Sequence, residues 1–396
     1  MSWRGSRILV VMLLAALALA VTPSPGFAAA PLSISVSGNH LINGSGQTIR
    51  LLGVNRSGTQ YACIQGWGIF DGPNDATSVA AMAAWHVNAV RIPLNEDCWL
   101  DINGVNPAYA GSSYQSAVQS YVKLLHQYGL YAILDLHWNA PGTTRATGQQ
   151  VLPDADHSPA FWTSVASFYK SDPAVLFDLY NEPHDISWSC WLNGCSTGSP
   201  AWTTAGMQSL VNAVRATGAT QPIMVGGLAW SNDLSGWLAS KPADPANALV
   251  ASFHNYNFNV CDPSCWNATV ATVANQVPVV TGELGENDCA HGYIDQYMPW
   301  ADAHGISYLG WTWDTWDCAS GPAFISNYDG TPTAFGVGFR NHLALLVKPV
   351  LSCWWRRWSP VTPSATRPVP PLPYYTLPAP TATPPGSPPL SPWYRH

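Results

Sequence analysis

The chain has 396 residues, with 16 Lys and Arg against 23 Asp and Glu and a formal net charge of −7. Only 10% of its residues are charged, far below the roughly 25% of ordinary domains, and no basic cluster is available to grip a phosphate backbone, which excludes nucleic acid as partner. Its 20 tryptophans point to a neutral ligand whose C–H faces stack on indole, the property of a carbohydrate.

Residues 1–30 read as an export leader. Arg4 and Arg7 precede an apolar run from Ile8 to Val21, followed by Pro23, Pro25, Gly26 and the small residues Ala28, Ala29 and Ala30. The run is shorter than the roughly 20 apolar residues of a spanning helix, and no later stretch supplies them, so a secreted, monomeric protein with no membrane partner is expected. Loss of the two leader arginines moves the formal charge from −7 to −9.

From Ile34 to Leu51 the sequence alternates apolar and polar residues around Gly- and Asn-rich turns, the pattern of a short antiparallel β-hairpin. Eight apolar runs follow: Ile49–Val54, Val87–Leu94, Tyr131–Trp138, Val175–Asn181, Pro222–Trp230, Leu249–Tyr256, Val277–Glu283 and Ser307–Asp314. Helical patterns separate most of them, at Ala80–His86, Tyr114–Tyr128, Ala160–Tyr169, Gly206–Ala216, Ala268–Asn275 and Ile294–His304, with Gly338–Val347 after the last. The fifth connection, through Leu228 to Leu238, shows the weakest helical pattern. Alternating strands and helices give a parallel sheet, and eight repeats predict an α/β fold, the (β/α)₈ TIM barrel, over residues 31–350. An open doubly wound sheet would have fewer strands, and no Gly-x-Gly-x-x-Gly follows the first run. Residues 351–396 are rich in Pro, Thr and Ser, a composition that cannot bury a core and reads as a tail or linker remnant.

Nine cysteines in an exported chain imply disulfides and one thiol left over. Cys190/Cys195 and Cys261/Cys265 can staple their own loops, Cys63–Cys98 and Cys289–Cys318 are expected as longer bridges, and Cys353 is the odd one. No Cys-x-x-Cys or His-x₃₋₅-His spacing suggests zinc. Tryptophans 67, 99, 138, 188, 191, 266 and 316 fall where loops are expected and are read as lining an open groove.

In such a barrel the chemistry sits at the C-terminal ends of the strands. There the runs carry Asn55 and Arg56, Arg91 and Asn95, Asp135 and His137, Asn181 and Glu182, His254 and Tyr256, Glu283, then Trp311, Trp313 and Asp314. Glycosidic cleavage needs two carboxyl groups flanking one anomeric carbon. Glu182 and Glu283 end the fourth and seventh runs, which face each other across an eight-stranded barrel.

Arg91-Ile92-Pro93, Leu136-His137-Trp138, Asn181-Glu182-Pro183, His254-Asn255-Tyr256, Gly282-Glu283-Leu284-Gly285 and Gly310-Trp311-Thr312 occur in that order between Ile34 and Val347. The set resembles the signature of family 5 glycoside hydrolases, the cellulase-type group of retaining (β/α)₈ enzymes. The resemblance implies Glu182 as acid/base and Glu283 as nucleophile, the latter kept anionic by Arg91 and Tyr256. It implies Asn181 as partner of the sugar 2-hydroxyl, His137 and His254 as positioning groups, and Trp311 as the stacking floor, with Trp313 as second choice. It implies no metal and no cofactor. The expected activity is that of an endo-β-1,4-glucanase. A β-mannanase or exo-β-glucosidase of the same mechanism is the alternative, because loops 63–75, 188–199 and 289–293 do not match the cellulase pattern. The rival from another class is a catalytically silent carbohydrate-binding barrel, which would keep its aromatics and lose one carboxylate.

Overall fold

A computed structural model describes residues 32–317 and 321–347. The expected leader, the tail and Cys353 lie outside the described residues, as does Cys318. Eight parallel strands close into a barrel: β1 (Leu52–Asn55), β2 (Ala89–Asn95), β3 (Tyr131–Trp138), β4 (Val175–Asp178), β5 (Ile223–Gly226), β6 (Leu249–Tyr256), β7 (Val279–Gly285) and β8 (Ser307–Gly310). Closure runs through β8 pairing with β1 and β4 pairing with β5. The strands are apolar almost throughout because both faces are covered, one by the barrel interior and one by helices.

Side chains on a strand alternate between faces, so positions two apart share the interior. Ala89, Ile133, Leu176, Met224, Val250, Val280 and Leu309 form one buried apolar layer there, closed from below by Ile34 and Leu41 of the N-terminal strands. Those strands, Ile34–Ser37, His40–Asn43 and Thr48–Ile49, form a three-stranded antiparallel sheet, one strand more than the expected hairpin. Two residues further along the same interior face, Ala89 leads to Arg91, Ile133 to Asp135, Leu176 to Asp178 and Val280 to Gly282. The apolar layer is therefore the floor on which a polar layer stands.

The covering helices are α1 (Ala76–Ala84), α2 (Gly111–Gln127), α3 (Ser158–Tyr169), α4 (Met207–Ala216), α5 (Ala271–Ala274), α6 (Ile294–Ala303) and α7 (Ala334–Leu346). Two begin earlier than their apolar pattern suggests because polar residues cap them: Asp75 accepts from Ser78 N, and Thr333 accepts from Gly336 N. α5 is shorter than expected because its first turns are a π-helix at Trp266–Val270. Between β5 and β6 only the four-residue turns Leu228–Ser231 and Trp237–Ser240 form. Among the described residues no helix is long and apolar enough to cross a membrane.

Disulfides Cys63–Cys98, Cys190–Cys195 and Cys261–Cys265 form as expected, all in segments beyond the C-terminal ends of strands. Cys289 is disulfide-bonded as well. Packing of the floor is tight enough to forbid a methyl group: a Cβ on Gly53 of β1 would collide with Ala89 O and come to 2.9 Å from Leu309 Cδ2. Gly53→Ala should therefore lose about 3 kcal/mol of stability by overpacking. Gly292→Ala, where nothing lies within 4 Å, should be near neutral. Urea unfolding of the two variants checks this.

Candidate active site

The site is built around Arg91, which β2 delivers to the barrel interior with no exposure to solvent. A guanidinium survives there only if its charge and its donors are matched. Nε donates to Asp178 Oδ2 at 2.9 Å, and Nη1 to Asn55 Oδ1 at 3.0 Å and to Glu283 Oε1 at 2.8 Å. Nη2 donates to Asn181 Oδ1 at 3.0 Å and lies 3.1 Å from Asp135 Oδ2. Burial opposes the charge, but Asp135, Asp178 and Glu283 outweigh it and hold Arg91 ionised. One side chain thus ties together the ends of β1, β3, β4 and β7.

Glu283 stands on β7 with its second oxygen, Oε2, accepting the Tyr256 hydroxyl at 2.6 Å. Burial lifts its carboxyl, while Arg91 and that hydroxyl pull it back. Burial and the facing Glu283 carboxylate keep Tyr256 a neutral phenol. Glu182 follows β4 on an irregular stretch that still joins both neighbouring strands, through Leu179 N to Met224 O and Asn181 N to Leu136 O, each 3.0 Å. Burial, then the charge of Glu283, push Glu182 well above the usual carboxylate range. An oxygen of each glutamate lies within 4.8 Å of the other. Both carboxyls are raised, but Glu182 stands well above the usual range while Arg91 and Tyr256 restrain Glu283, so the surroundings separate two identical side chains, the arrangement acid–base and nucleophilic chemistry share.

His254 reaches both carboxylates through Nδ1, 2.9 Å from Glu182 Oε1 and 3.7 Å from Glu283 Oε2. Burial, and then Arg91, keep its imidazole neutral, so one ring nitrogen is a donor and the other an acceptor, and Nδ1 shares a hydrogen bond with Glu182. The ring fits because residue 282 is glycine: a Cβ there would stand 3.0 Å from His254 Nε2 and 2.9 Å from Ser252 Oγ. His137 lies with Nδ1 2.6 Å from Asp135 Oδ2, and burial pushes its pKa down to about 3. Its ring stacks on Trp311, at 5.5 Å between centroids and 12° between planes. Register shifts at the end of β2 and within β6 and β7 re-aim the chain here, as bulges beside active sites do.

The eight residues to which the resemblance gives a first-choice role, Arg91, His137, Asn181, Glu182, His254, Tyr256, Glu283 and Trp311, meet at this mouth of the barrel. Trp313 does not: it is fully buried and packs edge-to-face on Trp85 at 4.9 Å, so it belongs to the core. The loop tryptophans also divide. Trp99, Trp138, Trp191 and Trp266 are buried, and Trp188 packs on Trp191 at 5.1 Å. Trp67 is 64% exposed and Trp316 is partly exposed. Loop position misled because these loops fold back as packing.

Asp178, Gln149 and Trp230 were missed. Asp178 was findable, since it shares the interior face with Leu176 two residues before it. Gln149 comes from the loop after β3, and its Oε1 accepts from Asn181 Nδ2 at 2.6 Å. Trp230 stacks on His184 at 3.7 Å and 6°, in a left-handed turn that no glycine or asparagine announces.

Among the described residues, two triads bring donor atoms close enough for one cation: Glu182, His254 and Glu283, and Asp154, Asp156 and His157. In both, the oxygens already have protein hydrogen-bond partners: Arg91, Tyr256 and His254 in the first, and backbone N–H groups of Gly142 and His157 in the second.

A family model described as cellulase (glycosyl hydrolase family 5) matches residues 42–317. A mannan endo-1,4-beta-mannosidase of Streptomyces lividans is 28% identical over 318 residues, 78% of this chain and 73% of that protein. Endoglucanase CelA of Streptomyces lividans is 23% identical, over 75% of this chain and 60% of its own length. Endoglucanase 1 of Saitozyma flava is 30% identical, over 52% and 60%. The chain therefore spans less than two thirds of either endoglucanase. The fold is similar to that of a beta-glucanase from Saccharophagus degradans in complex with cellotetraose, with a TM-score of 0.63 and 21% identity over 83% of this chain and 99% of that one.

Removing the central cation should be costly. Arg91→Met would strand Asp135, Asp178 and Glu283 without a counter-charge, a loss of about 3–5 kcal/mol for a broken buried ion pair. Their folded-state pKa values, already raised by burial against the pull of Arg91, would then rise further, so the folded variant would bind still more protons than the unfolded chain. The variant should recover stability as pH falls through those raised values and lose it as pH rises. Urea melts of wild type and variant at pH 5 and pH 8 would show a larger gap at pH 8.

Proposed function

The chain belongs to the cellulase family, glycosyl hydrolase family 5, and from that premise we propose that it is an exported, endo-acting β-1,4-glucanase working by double displacement. One observation carries the mechanism: an oxygen of Glu182 lies within 4.8 Å of an oxygen of Glu283. Retaining enzymes hold their carboxyl groups about 5–5.5 Å apart, whereas inverting ones need about 6.5–9.5 Å to seat a water between nucleophile and sugar.

In this reading Glu182, kept protonated by burial and by its charged neighbour, protonates the departing glycosidic oxygen. Glu283, with Arg91 on one oxygen and Tyr256 on the other, attacks the anomeric carbon and forms the glycosyl ester. Esterification removes the charge that held Glu182 protonated. The Glu182 proton has already gone to the leaving group, so its carboxylate then takes a proton from water and hydrolysis restores both groups. Asn181 binds the 2-hydroxyl, a contact that strengthens as the ring becomes oxocarbenium-like. His254 orients Glu182, Asp135 fixes His137, and Trp311 floors the subsite.

Internal cleavage is supported by aromatic surface on two sides of the mouth: Trp67 and Trp316, which both lie against Tyr61 after the adjacent strands β1 and β8, and Trp230 after β5. A β-mannan is the second reading, favoured by the mannosidase relative that aligns with 78% of the chain. A panel of β-1,4-glucan, mixed-linkage glucan, mannan and xylan decides the substrate, and product size against time decides the mode. Rapid viscosity loss with mixed oligosaccharides is expected. Glucose or one disaccharide from the start, with viscosity preserved, would overturn endo action.

The two glutamates should fail differently. Glu283→Gln should abolish turnover on every substrate. Glu182→Ala should abolish it on polymer yet spare formation of the glycosyl-enzyme from an aryl glycoside whose leaving group needs no protonation. Azide should then accelerate that variant and yield a β-configured glycosyl azide. Wild-type turnover of polymer by either variant would refute the assignment.

A further inference from the structure

We propose that Gln149 is a positioning residue that locks the side-chain amide of Asn181 for its contact with the sugar 2-hydroxyl. The inference rests on the assignment of that contact to Asn181.

The torsion that turns an asparagine amide is soft and roughly two-fold, so burial alone does not fix which way its N–H groups point. Here both ends of the amide are held. Oδ1 accepts from Arg91 Nη2 at 3.0 Å, and Nδ2 donates to Gln149 Oε1 at 2.6 Å. An amide nitrogen carries two hydrogens. Gln149 takes one of them and leaves the other for the cleft. Gln149 is itself oriented, because its Nε2 lies 3.4 Å from the backbone oxygen of Glu182 and donates to it. One glutamine thus bridges both adjacent residues of the Asn181-Glu182 pair.

Gln149 is useful in this role only if its own backbone is fixed, and the neighbouring contacts fix it. The next residue, Gln150, donates its N–H to Tyr180 Oη at 2.8 Å, and Tyr180 lies just before Asn181. The Tyr180 hydroxyl also reaches Asn139 Oδ1 at 2.9 Å. Asn139 Nδ2 donates to Asp154 Oδ2 at 2.8 Å, which closes the loop on itself. Ser158 anchors the far end by donating to Glu96 Oε2 at 2.6 Å. Val151 O accepts from His184 N at 3.1 Å, tying the loop to the segment after Glu182. Gln149 is only partly buried and lies outside the barrel core, so replacing it leaves the fold's main contacts intact.

The contact it supports grows in the transition state, so its loss should appear in kcat more than in KM. The experiment compares wild type with Gln149→Met, which keeps the length and removes both polar atoms. The substrates are an aryl β-cellobioside and the same compound lacking the 2-hydroxyl on the ring next to the aryl group. Gln149→Met should cut kcat/KM on the ordinary substrate about tenfold, mostly through kcat, as misplacement of a transition-state contact does. On the 2-deoxy substrate the variant should stay within about twofold of wild type. In an Asn181→Ala background Gln149→Met should cost nothing further. Equal loss on both substrates, loss confined to KM, or unchanged kinetics would overturn the proposal. Asn181→Ala alone separates the two layers. If it discriminates the substrates while Gln149→Met does not, only the role of Gln149 fails. If Asn181→Ala does not discriminate either, the assignment of Asn181 fails and takes this inference with it.

Discussion

A guanidinium sealed inside a barrel is the constraint from which the rest of this structure follows. Removing Arg91 from water is tolerable only with anions and hydrogen-bond acceptors arranged around it, and the barrel supplies Asn55, Asp135, Asp178, Asn181 and Glu283 from four other strands or their ends. The dependence runs both ways. Asp135 and Asp178 are fully buried, and without the cation each would be an uncompensated charge. Burial pushes both up, to about 7, against the pull of Arg91. The cluster therefore sits close to the point where a proton could replace the charge. Such a network is sensitive to any neighbour that adds or removes charge, and Glu283 shares it directly.

The same burial governs the two histidines. Each could in principle carry a charge beside the carboxylates, yet desolvation and Arg91 together keep His254 neutral and desolvation keeps His137 neutral. A neutral imidazole orients a carboxylate without cancelling its charge or supplying a competing proton. Glu182 keeps its raised pKa beside such a neighbour, while Glu283 stays within reach of a fixed cation. The difference between the two glutamates is one of surroundings, not of residue type.

Much of this was legible in the sequence. The β3 and β6 runs, Tyr131–Trp138 and Leu249–Tyr256, coincide with the strands, because a buried parallel strand leaves an uninterrupted apolar run. Polar residues at the ends of those runs located the site, since an interior polar side chain needs a partner and the partners are one another. What failed was judgement of side-chain direction beyond the strands. Trp311 and Trp313 share a strand-like spacing, but the chain leaves β8 at Gly310, so the period of two no longer applies and Trp313 turns into the core. Gln149 was invisible for a related reason: its role is set by a loop whose shape depends on long-range contacts to Tyr180 and Glu96 rather than on local pattern.

The missing fifth helix has a physical cause in the same region. Ala229, Trp230 and Ser231 have φ of 52°, 62° and 56°, a left-handed turn that costs about 1–2 kcal/mol per non-glycine residue. Three such residues in a row persist only where the surroundings over-determine them. Ser231 Oγ donates to Asn181 O at 3.0 Å, Trp230 N to Pro183 O at 3.0 Å, and Asn232 Nδ2 to His254 O at 2.8 Å. The turn thus satisfies carbonyls in the stretch after β4 that carries Glu182 and in β6 at His254 itself. A right-handed helix starting at Leu228 would withdraw those donors and leave the carbonyls unpaired beside Glu182 and His254. It would also carry Trp230 away from His184, on which its indole stacks at 3.7 Å. The chain after β5 is therefore committed to bracing its neighbours, and the helical pattern fades there because the sequence serves that contact instead.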